Sequence, residues 1–164
     1  MVNATTTPLD TVSQTLEDYA GRGVFRSFSQ GKTKGGKTEF KLLWHRQKTF
    51  ILIFDSEKNT LRFRLVLPNV PASSEMYASL KEFLSNRRTA KDRPHRDVDP
   101  DKATIRPHNR GGAVSLGIQV MDGDFEYGTR KLINLVNEIF LGFLVDGPYY
   151  EYMIDNFDLN VDEE

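Results

Sequence analysis

The stretch EFKLLWHRQKTFILIFDSEKNTLRFRLVL, residues 39–67, decides the fold of this chain. Its first and last parts alternate apolar with polar side chains, as strands with one buried face do. The middle part, residues 50–54, is apolar throughout, which is typical of a strand covered on both faces. Turn-forming residues at 55–59 separate the last two parts. The stretch therefore predicts an antiparallel meander of three strands.

Segments on both sides of the meander carry the spacing of helices. Apolar residues recur every three or four positions in residues 9–20, 74–86 and 125–144, which predicts three helices. Pro148 suits the first turn of a short fourth helix, because its missing N–H and fixed φ cost nothing there. Residues 87–102 are polar and predict a long loop.

Two further strands and a short polar one complete the sheet. Residues 103–106 and 113–121 flank the turn sequence Asn-Arg-Gly-Gly at 109–112, which predicts a hairpin, and residues 24–29 predict the short strand. The element order is α-(β)-β-β-β-α-β-β-α-α. Since strands occur in runs and do not alternate singly with helices, we predict an α+β fold. Its mainly antiparallel β-sheet, a meander plus a hairpin, has helices packed on one face.

Composition limits the class of protein. The chain has 164 residues and a formal net charge of −1, which suits one domain and no general attraction to nucleic acid or membrane surfaces. We assign that domain to residues 9–157, between a disordered start (1–8) and an acidic disordered tail (158–164). There is no cysteine, no apolar run of the ~20 residues that span a membrane, and no signal-peptide pattern at the start. We expect a cytoplasmic protein.

Residues 31–38 read Gly-Lys-Thr-Lys-Gly-Gly-Lys-Thr and match the phosphate-loop pattern G-x-x-x-x-G-K-[ST]. In a nucleotide-binding protein, Gly31, Gly36, Lys37 and Thr38 would form the loop, with Lys37 on phosphate and Thr38 on Mg²⁺. Such a loop needs a helix that begins at the Lys-Thr pair, so that free N–H groups meet the phosphates. The polar lead-in and the antiparallel elements that follow favour an exposed turn. A helix at Thr38 would support nucleotide binding, whereas a strand would oppose it.

Other candidate chemistry is sparse. Residues 87–110 contain eight basic residues against four aspartates, which leaves a nucleic-acid contact as an alternative, although stacking aromatics are missing. The three histidines, His45, His95 and His108, lack metal-ligand spacing. The Asp-rich stretch 97–101 lacks the glycine and glutamate that a calcium loop needs at its sixth and twelfth positions. We predict no catalytic residue, metal site or cofactor, and hence no enzyme.

The sheet offers a more specific hypothesis. If the alternating residues from Phe40 to Leu65 face the helices, the opposite face carries an apolar strip rimmed by basic side chains. Exposed apolar patches of this kind usually mark contacts, so we expect a second protomer or another polypeptide to dock there. The alternative is that the first or last helix covers the strip. The predicted contact residues are Leu43, Ile51, Ile53, Arg62, Arg64 and Val66, with Lys41 on the rim.

From about residue 16 to residue 143 the layout resembles the YbjN-like and type III secretion chaperone-like proteins. The resemblance lies in the helix before the sheet, the meander, the sequence Leu-Pro-Asn-Val-Pro at 67–71 that leads into the next helix, and the hairpin ending at 115–120. It implies a small, often dimeric domain that holds or regulates other polypeptides without catalytic residues. The sequence thus predicts a non-catalytic protein-binding domain, chaperone-like or a regulatory adaptor, with no membrane partner.

Overall fold

The computed structural model describes residues 6–45, 48–89, 98–144 and 149–157. Its elements follow the predicted order. They are α1 (Pro8–Gly21), β1 (Ser27–Gln30), β2 (Lys37–Leu43), β3 (Thr49–Asp55), β4 (Thr60–Leu67), α2 (Glu75–Thr89), β5 (Ala103–Arg110), β6 (Ala113–Val120), α3 (Phe125–Glu138), a π-helical segment (Ile139–Leu144) and α4 (Tyr150–Phe157). The α+β class is confirmed. Pro148 and most of the predicted terminal segments, 1–5 and 158–164, lie outside the described residues.

The strands form one six-stranded antiparallel sheet in the order β1-β2-β3-β4-β6-β5. The predicted meander is its centre, where Phe40 pairs with Leu52 and Leu52 with Phe63. The hairpin is longer than predicted, because β5 continues through Pro107 to Arg110. Gly111 and Gly112 then turn the chain with φ values of 60° and 93°, which suit the two-residue turns that match strand twist.

Local chemistry fixes the ends of the helices. Thr7 and Asp10 form a capping box at the start of α1, and the Asp124 side chain accepts a hydrogen bond from the N–H of Tyr127 at the start of α3. The Ser74 hydroxyl accepts from the N–H of Tyr77 in the first turn of α2. This helix runs to Thr89, three residues past the predicted end. The first part of the predicted polar loop is therefore helical.

The core lies between one face of the sheet, here called the inner face, and the helices. The inner face is formed by Phe40, Leu42, Phe50, Leu52, Phe54, Leu61 and Phe63, all of them fully buried or nearly so. From α3, Phe125 packs edge-on against Phe54, with ring centroids 5.6 Å apart. Gly128 allows this close approach, because a Cβ there would come within 2.6 Å of Val120 Cγ2. α1 packs against α3 and β1 on the same side.

The remaining helices attach to this layer. Arg87 of α2 makes an ion pair of 2.9 Å with Glu138 of α3. Phe143 of the π-helical segment packs between Phe83 of α2 and Tyr149 beside α4, with centroids 5.5 and 5.0 Å away. The Tyr152 hydroxyl of α4 donates to the carbonyl of Pro68 just after β4, and burial raises the pKa of this phenol. The contacts made by these helices thus involve the inner face and one end of the sheet.

Candidate functional site

The opposite side of the sheet, the outer face, consists of the side chains that alternate with the buried ones. By strand register it comprises Ser27 and Ser29 of β1; Lys37, Glu39, Lys41 and Leu43 of β2; Thr49, Ile51, Ile53 and Asp55 of β3; Thr60, Arg62 and Arg64 of β4; Thr104, Arg106, His108 and Arg110 of β5; and Ala113, Ser115, Gly117 and Gln119 of β6. One row crosses five strands as Glu39, Ile53, Arg62, Gly117 and Arg106.

Five of the six predicted contact residues lie on this face. Leu43, Ile51 and Ile53 are partly buried, while Arg62 and Arg64 are exposed. Leu43, Ile51 and Ile53 thus keep part of their surface exposed. Of the two helices that the alternative would have placed over the strip, α1 packs against α3 and β1 on the inner side.

The prediction for Val66 is wrong. Phe63 pairs with Leu116 and Leu67 pairs with Val114, so three residues of β4 lie opposite the single residue Ser115. This β-bulge changes which side chains point inward. Val66 is consequently 2% exposed, whereas Leu65, which simple alternation assigns to the core, is 45% exposed.

The outer face is strongly basic, although the chain as a whole has a formal net charge of −1. Its two carboxylates belong to Glu39 and Asp55. Its six basic side chains are Lys37, Lys41, Arg62, Arg64, Arg106 and Arg110. Because the formal charge of the whole chain is −1, the rest of the sequence is net acidic. Sequence reasoning placed part of this charge in a loop, because it ended β5 at Arg106.

A shallow depression of about 450 Å³, here called the basic depression, lies on this face toward the β3–β4 turn. Its charged and titratable lining residues are Lys37, Lys58, Arg62, Arg106, His108 and Asp55. Gly117 forms its floor between Arg62 and Arg106. A Cβ at Gly117 would lie 3.2 Å from the carbonyl oxygen of Leu61, so the close strand contact disfavours any larger residue. No pattern in the sequence singled out this glycine.

The carboxylates on the outer face are already engaged. One oxygen of Asp55 accepts the backbone N–H groups of Glu57 and Lys58 at 3.0 and 3.2 Å, which closes the β3–β4 turn. Glu39 lies 3.4 Å from Arg64, in a pair whose two side chains are about half exposed. Exposed pairs of this kind contribute little. Within the described ranges, neither Lys37 nor Arg62 makes an ion pair, and Arg106 donates to the neutral side chain of Gln119.

The phosphate-loop match forms a turn. Gly35 and Gly36 have φ values of 61° and 79°, and Lys34 and Lys37 pair across them. Thr38 belongs to β2, pairs with Phe54 and is 1% exposed, with its hydroxyl bonded to that of Thr33. The helix start that presents free N–H groups to phosphates is therefore missing at Thr38, and its hydroxyl faces the protein. Lys37, from the same match, lies on the outer face.

The predicted basic loop, residues 87–110, is divided among several elements, and residues 90–97 lie outside the described ranges. Arg87 is buried in α2. Lys102 lies 2.8 Å from Asp122 and 3.1 Å from Asp124, at the start of α3. These bonds raise the pKa of Lys102, and the bond from Lys102 lowers the pKa of Asp122. Arg106 and Arg110 lie on the outer face.

No group of three or more His, Cys, Asp or Glu side chains among the described residues could hold a metal ion. His45 stacks on Phe140 with centroids 4.5 Å apart, and His95 lies outside the described residues. Of the helices that the structure describes, none is both long and apolar enough to span a bilayer.

Comparisons with protein-family models, curated proteins and solved structures found no match. The resemblance to YbjN-like and type III secretion chaperone-like proteins therefore stays a prediction. The outer face has to be interpreted from its own residues.

Proposed function

We propose that this protein is a non-catalytic protein-binding domain, chaperone-like or a regulatory adaptor, whose outer face contacts another polypeptide. The observation that carries the proposal is the arrangement of Leu43, Ile51 and Ile53 as an accessible aliphatic strip among basic side chains. Burial of such apolar surface against a partner is favourable, and the basic rim adds specificity and speed of association.

The face is a better contact surface than either edge of the sheet. The β1 edge offers only four residues, Ser27–Gln30, most of them exposed and polar. The β5 edge is longer, but Pro107 interrupts its N–H groups, and edge prolines are a common protection against strand addition. A partner that adds a strand would thus meet poor templates on both sides.

Site-specific photocrosslinking tests the proposal. A photoreactive amino acid replaces Ile53 on the outer face or, as a matched control, Lys81 on the exposed side of α2. After irradiation in an extract of the source organism, we expect discrete protein adducts from position 53 and few from position 81. A second copy of the chain as partner would give an adduct of twice the chain mass. Absence of adducts at position 53, or equal adducts at both positions, would contradict the proposal.

The apolar strip can be tested separately by light scattering after size exclusion. Ile51→Glu places a carboxylate in the strip, next to Lys41, without touching the core. If the strip joins two protomers, the wild-type protein is dimeric and the variant is monomeric while both remain folded. If the wild-type protein and the variant are both folded monomers, a second protomer is excluded as the partner, and a different polypeptide is the remaining candidate.

A further inference from the structure

We propose that the partner is an acidic polypeptide segment whose carboxylates bind in the basic depression while its aliphatic side chains cover the neighbouring strip. The inference rests on the proposed function and specifies the chemistry of the partner. The inference is based on the charge and shape of the depression. A purely apolar partner would cover the aliphatic strip but would leave these cations without a counter-charge.

The depression brings cations together around a position that has no side chain. Arg62 and Arg106 come from β4 and β5, on either side of Gly117 in one row of the sheet. Neighbouring strands lie about 4.8 Å apart, so the two backbones are roughly 10 Å apart and leave space between the side chains. Lys37 and Lys58 border the same space. A carboxylate entering over Gly117 can reach several donors at once.

The charges are available to a ligand. Among the described residues, no carboxylate pairs with Lys37 or Arg62, and the partner of Arg106 is the neutral amide of Gln119. Asp55, the one acid that lines the depression, directs an oxygen to two backbone N–H groups of its own turn. Guanidinium groups bind carboxylates through two parallel hydrogen bonds, which favours an acidic side chain as the ligand.

A polypeptide fits this face better than a nucleic acid does. The outer face, as defined by its register, contains no Phe, Tyr or Trp on which a base could stack. Ile53 stands beside Arg62 and Ile51 beside Lys41, so apolar and basic side chains are neighbours on this face. A segment that mixes acidic and aliphatic residues matches both, whereas a phosphate backbone matches only the charges.

Fluorescence anisotropy with defined probes tests the inference. The probe is a short fluorescein-labelled peptide in which glutamate alternates with leucine and serine, and the matched control peptide has glutamine in place of glutamate. A labelled oligothymidylate of equal charge represents nucleic acid. We expect the glutamate peptide to bind most tightly, with an affinity that falls as sodium chloride rises. The double variant Arg62→Glu/Arg106→Glu should weaken it by about tenfold or more, and Lys81→Glu on α2 by less than about twofold.

Three results would each overturn the inference. The first is equal binding of the two peptides, and the second is an equal loss of affinity in the Arg62→Glu/Arg106→Glu and Lys81→Glu variants. The third is that oligothymidylate binds as tightly as the glutamate peptide and that the same double variant abolishes its binding. Circular dichroism checks folding. Should the double variant not fold, Arg62→Gln/Arg106→Gln replaces it, and salt dependence of the unmodified protein provides a second criterion. Adducts at position 53 without binding of the acidic peptide would refute the acidic partner alone. The absence of both would refute the proposed function as well.

Discussion

The two faces of the sheet come from the same strands and have opposite properties. On β3, Phe50, Leu52 and Phe54 are at most 2% exposed, whereas Ile51 and Ile53 between them are only partly buried. The inner face is aromatic and lies against the layer of α1 and α3, whereas the outer face is aliphatic and basic. Burial therefore alternates along each strand, so that an outward side chain can be changed with little effect on the core.

The largest expected effect comes from removing an aromatic residue from the inner face. Phe63 is fully buried and packs against Phe50 and Trp44, with centroids 6.0 and 5.9 Å away. Phe63→Ala should lower the free energy of unfolding by about 3–5 kcal/mol, since it removes apolar contact and leaves a cavity. The adjacent outer-face residue Arg62 provides the control, because Arg62→Ala should change the free energy of unfolding by less than about 0.5 kcal/mol. Urea denaturation measures both, and similar losses would contradict the division between faces.

The next comparison is between an ion pair among the helices and one on the outer face of the sheet. Arg87 and Glu138 pair at 2.9 Å with side chains 10% and 22% exposed, whereas Arg64 and Glu39 are 54% and 47% exposed. Glu138→Gln should cost about 1–3 kcal/mol, because a mostly buried guanidinium loses a charged acceptor. Glu39→Gln should cost less than about 1 kcal/mol. Urea denaturation of Glu138→Gln and Glu39→Gln measures both losses. Equal shifts of the two denaturation midpoints would show that burial does not determine the strength of these ion pairs.

The bulge in β4 predicts a smaller difference between two adjacent residues. Val66→Ala should cost roughly 1–2 kcal/mol, because it removes two buried methyl groups. Leu65→Ala removes a larger but exposed side chain and should cost less than about 0.5 kcal/mol. Thermal denaturation of the two variants decides which residue faces the core. A larger loss of stability for Leu65→Ala than for Val66→Ala would contradict the bulge and support simple alternation in β4.

The same bulge shows where sequence reasoning succeeds and where it stops. In β2, Phe40 and Leu42 alternate with the charged residues Glu39 and Lys41, and the turn residues at 55–59 follow the apolar run of β3, so the pairing could be predicted from the sequence. Residues 65–67 are all apolar, so the sequence does not indicate which of them face the core or where pairing with β6 shifts the register. Pairing with a strand that is distant in sequence is a tertiary effect, and local strand propensity does not predict it.

The basic depression could be anticipated only in part, for the same reason. Arg62 was recognisable as an outward residue of the meander. Arg106 became its neighbour only because β6 inserts between β4 and β5, and this places Gly117 between the two arginines. The predicted strand ended at Arg106, whereas β5 continues through Pro107, because an edge strand can accept proline. The charge of the face therefore follows from topology more than from local sequence.

The smallest predicted effect concerns pH, at the point where the helix layer joins the sheet edge. Lys102, just before β5, pairs with Asp122 and with Asp124, the N-cap of α3. The bond lowers the pKa of Asp122 in the folded protein, so its contribution to stability is present above the ordinary aspartate pKa of about 4 and is lost as the pH falls further.

Asp122→Asn should therefore reduce the fall in Tm between about pH 4 and pH 2, and Asp155→Asn on α4 serves as an exposed control. Because the pair is largely accessible to solvent, the change in slope should be small. A Tm profile of Asp122→Asn that parallels the wild type throughout this range would mean that the link between β5 and α3 does not depend on this charge.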